Sequence, residues 1–468
     1  MRWPDVVRPV RMSRVVVVAP QARLRAALVV VAEEGVVELE MPLDRRGEPG
    51  PAEAALARAG GGAARRCPVL SRDAPDLEAL VRTGRWDLVA GEVELEHQAS
   101  HALTHGPAAV VVGWIPASAQ AVLAERLGTV GASVVDLPHP RTADVPTLVR
   151  AGTVSRPFRP LVDTYGVVPY ADVDPTLFAG FSYVLMFGMM FGDVGHGLLL
   201  AGLALLLGRS RRPALAALRA YWGLPFAAGL AGALFGLLYG EAFGPTGLVA
   251  VSWLAPMDQP LRLLVVAVGV GAVLMGASYV LGIVNRWREG GPAAALFASS
   301  GIAGASLYLG AAGAVLALAW HRRSVAFAAF GLAGLGLLLL FTGLLARSGG
   351  GGATLIQASV ETFDAVVRVG ANAISFARLA AFGLTHATIG WVVWQGTVGL
   401  WGPGLQAVGA ALLFVLGNAA AFALEGLVVG VQALRLEYYE LFSRILTGEG
   451  RPFVPWHLPI EPAVKEDA

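Results

Sequence analysis

From about residue 178 to 444 the chain is a succession of apolar stretches broken by glycines, prolines and arginines, whereas residues 1 to about 175 mix charged and apolar positions over short periods. Crossing a bilayer takes about 20 apolar residues in a helix. The pattern predicts eight spans, at about 178–192, 194–208, 220–243, 261–285, 294–319, 325–346, 359–398 and 404–444. The first two are short and separated only by Gly192-Asp-Val-Gly-His196, which predicts a tight hairpin or a broken helix buried against protein. The last two exceed a perpendicular crossing and are expected to tilt steeply or project. Eight crossings put both termini on one side. Arg209, Arg211, Arg212 and Arg219 after the second span, and Arg286 and Arg288 after the fourth, make that side cytoplasmic; Arg322 and Arg323 run against it.

The opening residues read differently. Val15–Ala19, Gln21–Glu33 and Val36–Leu39 have strand, helix and strand character, and Ala108–Ile115, Ser118–Leu127 and Ala132–Leu137 repeat it, so both units are expected in one sheet. Between them, residues 45–66 are rich in Gly, Ala and Arg and read as a flexible connection, and residues 76–105 as short helices. The expected organisation is an N-terminal α+β cytoplasmic lobe over 1–145, a linker at the membrane surface over 146–177, an all-α polytopic membrane domain over 178–446, and a cytoplasmic tail over 447–468.

Composition agrees: 55% of residues are apolar, 15% are charged, and mean hydropathy is +0.61. A net charge of +1, with no basic stripe among aromatics, argues against nucleic acid. Cys67 is the sole cysteine, which excludes disulfides and cysteine metal sites within the chain. His97, His101 and His105 recur every four residues, but without acidic partners they read as a solvated helical face, so no metal is expected. Residues 1–14 lack the apolar segment of a secretory signal, and Met12, directly before the first strand, is an alternative start.

One charge stands out. Arg378 lies in the apolar run 371–391, which holds no other Arg and no Asp, Glu or Lys. A guanidinium at mid-membrane costs about 2.5–3.5 kcal/mol on insertion scales, and arginine does not shed its proton. It needs a partner or a task. Asn418, Glu425 and Gln432 recur at seven-residue spacing on one stripe of the last span, with Arg435 three residues further. With His386 two turns beyond Arg378, the two helices read as an ion pathway.

Particular motifs then resemble the V/A-type rotary ATPase subunit called I in prokaryotes and a in eukaryotes. They are Pro175-Thr-Leu-Phe with Phe187-Gly-Met-Met-Phe-Gly-Asp-Val-Gly-His-Gly197, Glu361-Thr-Phe-Asp364, Ser375-Phe-Ala-Arg-Leu-Ala-Ala-Phe382 with His386-Ala387, Leu424-Glu-Gly426 running to Gln432-Ala-Leu-Arg-Leu-Glu-Tyr-Tyr-Glu440, and Gly450-Arg-Pro-Phe453. Val112-Gly-Trp-Ile-Pro116 resembles an element of that family's cytoplasmic lobe. The resemblance implies that Arg378 is the stator arginine facing the rotating ring's carboxylate, that Arg435 is a second arginine, and that Glu425, His386 and Asp364 belong to half-channels. Its implied partners are a proteolipid ring, peripheral-stalk subunits on the lobe, central-stalk and nucleotide-binding subunits, and the lipid bilayer. The family's long helical arm and distal lobe are expected to be shortened or missing, since only about 100 residues separate the two strand-helix-strand units.

The physics supplies a mechanism for these roles. A ring carboxyl must be neutral to face lipid. Opposite Arg378 it ionises and releases its proton, and the same arginine blocks a direct leak. The topology expects Asp364 toward the cytoplasm, Arg378 deep, His386 further out, and Glu425 on the outer side of Arg435. Simpler roles compete: Glu425 as the ion-pair partner of Arg435, His386 as a packing residue, Asp193 and His196 as stabilisers of a turn, and Glu241 and Asp258 as solvated loop residues. Gly349–Gly352 lacks the Gly-Lys-Ser/Thr ending of a phosphate loop, so no nucleotide site and no cofactor are expected and ATP chemistry falls to partners. A secondary transporter is the competing function, for which paired broken helices in two related halves are expected; no such repeat is visible. A membrane anchor without transport would dispense with Arg378, Glu425 and Arg435.

Overall fold

The computed structural model describes residues 8–40, 50–59, 67–138, 144–150, 152–347, 352–446 and 448–461. It divides into two compact units, Pro9–Arg150 with Gly450–Ala468, and Met1–Arg8 with Ala151–Glu449.

In the first unit β1 (Met12–Pro20) leads through α1 (Leu24–Glu34) to the short β2 (Glu38–Leu39). Helices α2 (Pro51–Ala59), α3 (Leu77–Thr83) and α4 (Trp86–Ser100) follow, then β3 (Leu103–His105), β4 (Ala108–Pro116), α5 (Gln120–Thr129) and β5 (Ser133–Leu137). The two strand-helix-strand units do share one sheet, and they interleave in it: the order is β2-β4-β1-β5, all antiparallel, with β3 also on β4. This is a split βαβ arrangement. The valine run makes it cohere, Val16 pairing with Val112 on one side and Val135 on the other. Alternation along β1 sends Val15, Val17 and Ala19 into a core with Ala27, Val31, Leu123 and Leu127 of the covering helices. Gly35 ends α1 at φ +56°, the left-handed geometry that suits glycine.

Three expectations for this region change. The connection read as flexible contains α2, whose N-terminal amides are capped from afar: the Glu96 carboxylate accepts from Ala52 N–H at 3.0 and 3.1 Å; residues 45–49 and 60–66 of that stretch lie outside the described residues. The histidine stripe does not form, because α4 stops at Ser100 and His105 is carried on β3. Residues 450–461 are no separate tail. Here β6 (Pro146–Thr147) pairs in parallel with β7 (Arg451–Pro452). Trp456 N–H donates to Val37 O (2.8 Å), Leu70 N–H to Pro459 O (2.9 Å), and Glu461 N–H to Leu70 O (2.8 Å). Buried Glu38 accepts from Val454 N–H at 3.0 Å and pairs with Arg451.

The second unit is helical: α6 (Arg159–Tyr165), α7 (Thr176–Met190), α8 (Val194–Arg209), α9 (Gly223–Tyr239), α10 (Pro260–Phe297), α11 (Ile302–Ala319), α12 (Arg323–Arg347), α13 (Gly352–Ser375), α14 (Ala377–Leu400) and α15 (Leu405–Leu436). Among the described residues five helical stretches are long and apolar enough to cross a membrane: Pro260–Phe297, Ile302–Ala319, Arg323–Ala346, Thr354–Leu400 and Leu405–Ile445. The helices at the first three expected spans are shorter, of 15, 16 and 17 residues.

Two expected spans are interrupted. The fifth, 294–319, is interrupted by the turn at 298–301, after Gly291 (φ +71°) and Pro292 have kinked the preceding helix, so its helix proper starts at Ile302. The seventh is broken at Phe376, a fully buried ring lying where a side chain on Gly271 of α10 would have to stand. The last helix ends in a π-turn, Glu437–Phe442.

The first two expected spans form a broken helix rather than a hairpin packed on itself, since α7 and α8 both pack along α9. Small residues bring α8 and α9 together: a Cβ on Gly197 would lie 2.3 Å from Ala233 N, and one on Gly229 2.6 Å from Ala201 N. In lipid, which gives apolar helices no hydrophobic reason to associate, such close backbone approach is a main source of packing energy.

Just before α7 a polar junction holds three segments. Asn285 of α10 accepts from Val173 N–H and donates to Ile445 O, both at 3.0 Å. Beside it the fully buried Asp172 faces Glu289, with Arg286 and Arg288 near. Burial first, and then the Glu289 carboxyl, push Asp172 up to about 8. The unfolded chain releases that proton near pH 4, so this group's contribution to stability is full below about pH 4 and is lost as pH rises through about 8. The purified chain is expected to melt at a lower temperature at pH 9 than at pH 6, and Asp172→Asn to remove much of that difference. An unchanged pH dependence in the variant would contradict the assignment.

Candidate functional site

The turn between α7 and α8 is built by Asp193. Its Oδ1 accepts from His196 N–H at 2.8 Å, capping α8, and its Oδ2 accepts from Gly244 N–H at 2.9 Å, fastening the segment after α9. Val194 N–H donates to Glu241 O at 2.9 Å. The turn thus has the structural role read for it, and it also carries His196 into the interior, where neither ring nitrogen has a hydrogen-bond partner.

His386 of α14 meets His196 there, ring centroids 5.5 Å apart, and its Nδ1 hydrogen-bonds Glu425 Oε2 of α15. Phe191 lies against both imidazoles, at 5.0 Å from His386 and 5.9 Å from His196. Asn418 stands beside His196, its Nδ2 donating to Phe414 O at 2.9 Å. Glu241, read as a solvated loop residue, is buried and lies within electrostatic range of His386, Asp193 and Glu425; Asp258 is exposed as expected. The α7–α8 turn, α14, α15 and the segment after α9 therefore bring two histidines and three carboxyl groups together, with Asn418 beside them. Glu425 does not pair with Arg435, whose side chain is exposed. Ten residues of helix separate the two, about 15 Å along the axis.

Arg378 lies in the first turn of α14, straight after the Phe376 break, and its Nη1 is buried with no hydrogen-bond partner among the described residues. Gln432 Oε1 and Glu440 Oε2 are likewise buried and unpartnered. Glu440 is within electrostatic range of Arg378 and Arg435. Eight residues separate Arg378 from His386, a rise of about 12 Å.

Behind the break lies a third feature, a cavity of about 820 Å³ whose lining includes Glu289, Glu361, Arg368, Asn372, Tyr439 and Arg444. Asp364, half exposed, is not among its lining residues but pairs with Arg368 one turn on, which is. Arg444 is buried, its guanidinium 5.4 Å from the Tyr279 ring centre.

The structure brings His386 and Glu425 into one cluster with Asn418 beside it; Arg378 and Arg435 meet around Glu440, and Asp364 pairs with Arg368. Sequence reasoning did not single out Glu440, Arg444 or Glu437, the last fully buried and accepting from Ser182 Oγ at 2.7 Å. Charge within an apolar run was the available signal, but these residues crowd the last turns of the expected span 404–444.

The model of the V-type ATPase 116kDa subunit family matches residues 104–260. The A-type ATP synthase subunit I of Pyrococcus horikoshii is 28% identical over 365 residues, 74% of this chain and 53% of the relative. That of Aeropyrum pernix is 30% identical over 375 residues, 67% and 51%. The chain belongs to the V/A-type ATPase subunit I/a family. The V-type ATP synthase subunit I 2 of Treponema pallidum is 37% identical over 153 residues, 30% of this chain and 33% of the relative. This subunit I/a chain spans about half the length of the curated relatives it matches first. The segment matched by the family model carries Asp193, His196 and Glu241, while Arg378, His386 and Glu425 lie beyond it.

Proposed function

We propose that this chain is the membrane stator subunit of a V/A-type ATPase or ATP synthase, non-catalytic itself, forming ion half-channels beside a rotating proteolipid ring and coupling H+ or Na+ movement to rotation. The observation that carries this reading is Arg378: a permanent charge in an apolar helix, with a buried nitrogen that no described residue satisfies, between two separate polar regions. A buried unpaired charge is expensive, and a ring carboxylate docked at this face offsets that cost.

In this reading His386, Glu425 and Asn418 line the outer half-channel. Asp364, paired with the cavity-lining Arg368, serves the cytoplasmic one. Gln432 and Arg435 flank Arg378 where the ring passes. Arg378 draws the proton from each arriving carboxyl by stabilising the ionised form, and its fixed charge keeps the two channels from joining. The β-sheet lobe holds peripheral-stalk subunits, central-stalk and nucleotide-binding subunits carry the ATP chemistry, and both termini are cytoplasmic.

The chain, affinity-tagged and extracted from its native membranes in mild detergent, is expected to co-purify with nucleotide-binding subunits and a small, very apolar proteolipid, and to show ATP hydrolysis that the chain alone lacks. Recovery of the full-length chain alone from membranes in which those subunits are present would overturn the proposal.

A further inference from the structure

We infer that Asp193, His196 and His386 form a binding site for a transition-metal dication of the zinc type inside the helical unit. One ligand atom from each lies within 4.8 Å of the others, and all three side chains are buried. Zinc bonds to imidazole nitrogen and carboxylate oxygen are about 2.0–2.2 Å, so tetrahedral ligand atoms stand roughly 3.4 Å apart. The three groups need to draw in by about an ångström, within reach of small side-chain rotations.

The donors are arranged for this. His386 Nδ1 is taken by Glu425, which leaves Nε2 for a metal and sets the ring's orientation and basicity, the carboxylate–histidine–metal relay common at such sites. Both His196 ring nitrogens are buried without a close side-chain hydrogen bond among the described residues, and its Nδ1 lies 3.8 Å from Asp193 Oδ1, another ligand of the proposed site. Asp193 Oδ1 accepts from one backbone amide, His196 N–H, and keeps lone-pair capacity. Glu241 adds a further buried carboxyl group nearby. Two nitrogens and one carboxylate leave a fourth position open, and the imidazole share selects zinc, cobalt, nickel or copper over magnesium or calcium.

A dication here ties down His386 and, through it, Glu425. Bound metal therefore slows ion passage through the outer half-channel; this consequence rests on the stator reading, whereas binding does not.

The test uses the full-length chain with a tag free of histidine, in lipid nanodiscs. Titration with zinc chloride is expected to give one tight site per chain, and X-ray absorption of the zinc form a shell of nitrogen and oxygen at about 2.0–2.1 Å with imidazole scattering. His196→Gln and His386→Gln should each weaken that site at least tenfold. Asp193→Asn, which preserves the cap, should do so too. Equal zinc affinity and the same spectrum in His196→Gln would overturn the site, because the metal would then sit elsewhere, as would the absence of tight binding by a well-folded parent. In transport-competent vesicles, zinc should inhibit the parent, and His196→Gln should raise the half-inhibiting zinc concentration at least tenfold, each measured against its own zinc-free rate. Tight binding without inhibition would leave the site standing and refute its effect on transport.

Discussion

Arg378→Ala is expected to abolish ATP-driven ion transport in reconstituted vesicles, read with a pH-sensitive dye, while the chain still inserts and assembles. The structure explains why assembly should survive. Arg378 makes no ion pair within the described residues, and one of its nitrogens is already buried unsatisfied. Removing it leaves buried Glu440 with Arg435 still in electrostatic range and takes a costly guanidinium out of an apolar helix. What disappears is the group that ionises the ring carboxyl and separates the two polar regions. Arg378→Lys should fail largely as well, since an ammonium lacks the forked, permanently charged donor set and can deprotonate when desolvated. Near-normal transport by Arg378→Ala would end the proposed role.

Glu425→Gln is expected to slow transport by roughly two orders of magnitude, the low end of what a positioned proton donor contributes, with the amount of assembled protein little changed. An amide still hydrogen-bonds His386 but cannot exchange a proton. Its size is conserved, so the packing of Phe191 against His386 persists. Glu425→Asp should be milder, because the carboxyl remains and only its reach shortens. Protein level and transport have to be measured together: normal transport per assembled complex with a depleted protein level would make Glu425 a structural partner of His386 instead. A direct leak through the mutant would be equally informative, since it would place the barrier between channels at this pair rather than at Arg378.

Much of this was legible in the chain. A guanidinium within an apolar run marks itself, because the cost of burying a permanent charge depends on its immediate surroundings and not on the fold. Asn418, Glu425 and Gln432 announced a shared face by helical periodicity alone, and the two strand-helix-strand units showed in their valine runs. What periodicity does not report is an interruption whose cause is distant. At the expected seventh span's interruption, Phe376 packs into the space left by Gly271, about a hundred residues earlier in the chain. The tail from Gly450 to Glu461 looked like a solvated end because its bonds are backbone amides and carbonyls of residues far away in sequence.

The same distinction separates the candidate residues. Hydropathy and spacing, properties of neighbours along the chain, were enough to select Arg378, His386 and Glu425. They could not select Glu241, which reads as a loop acid until the turn after α9 folds it inward, nor His196, which reads as part of a turn until α14 brings His386 to 5.5 Å from it. The cluster of two histidines and three carboxylates exists only because α7 and α8 break at Asp193 and pack along α9, with α14 and α15 closing over them. Local sequence determines which side chains carry charge and which face of a helix they share; which of those faces meet is decided by backbone contacts at glycines such as Gly197 and Gly229, whose lack of a side chain says nothing in advance about their partners.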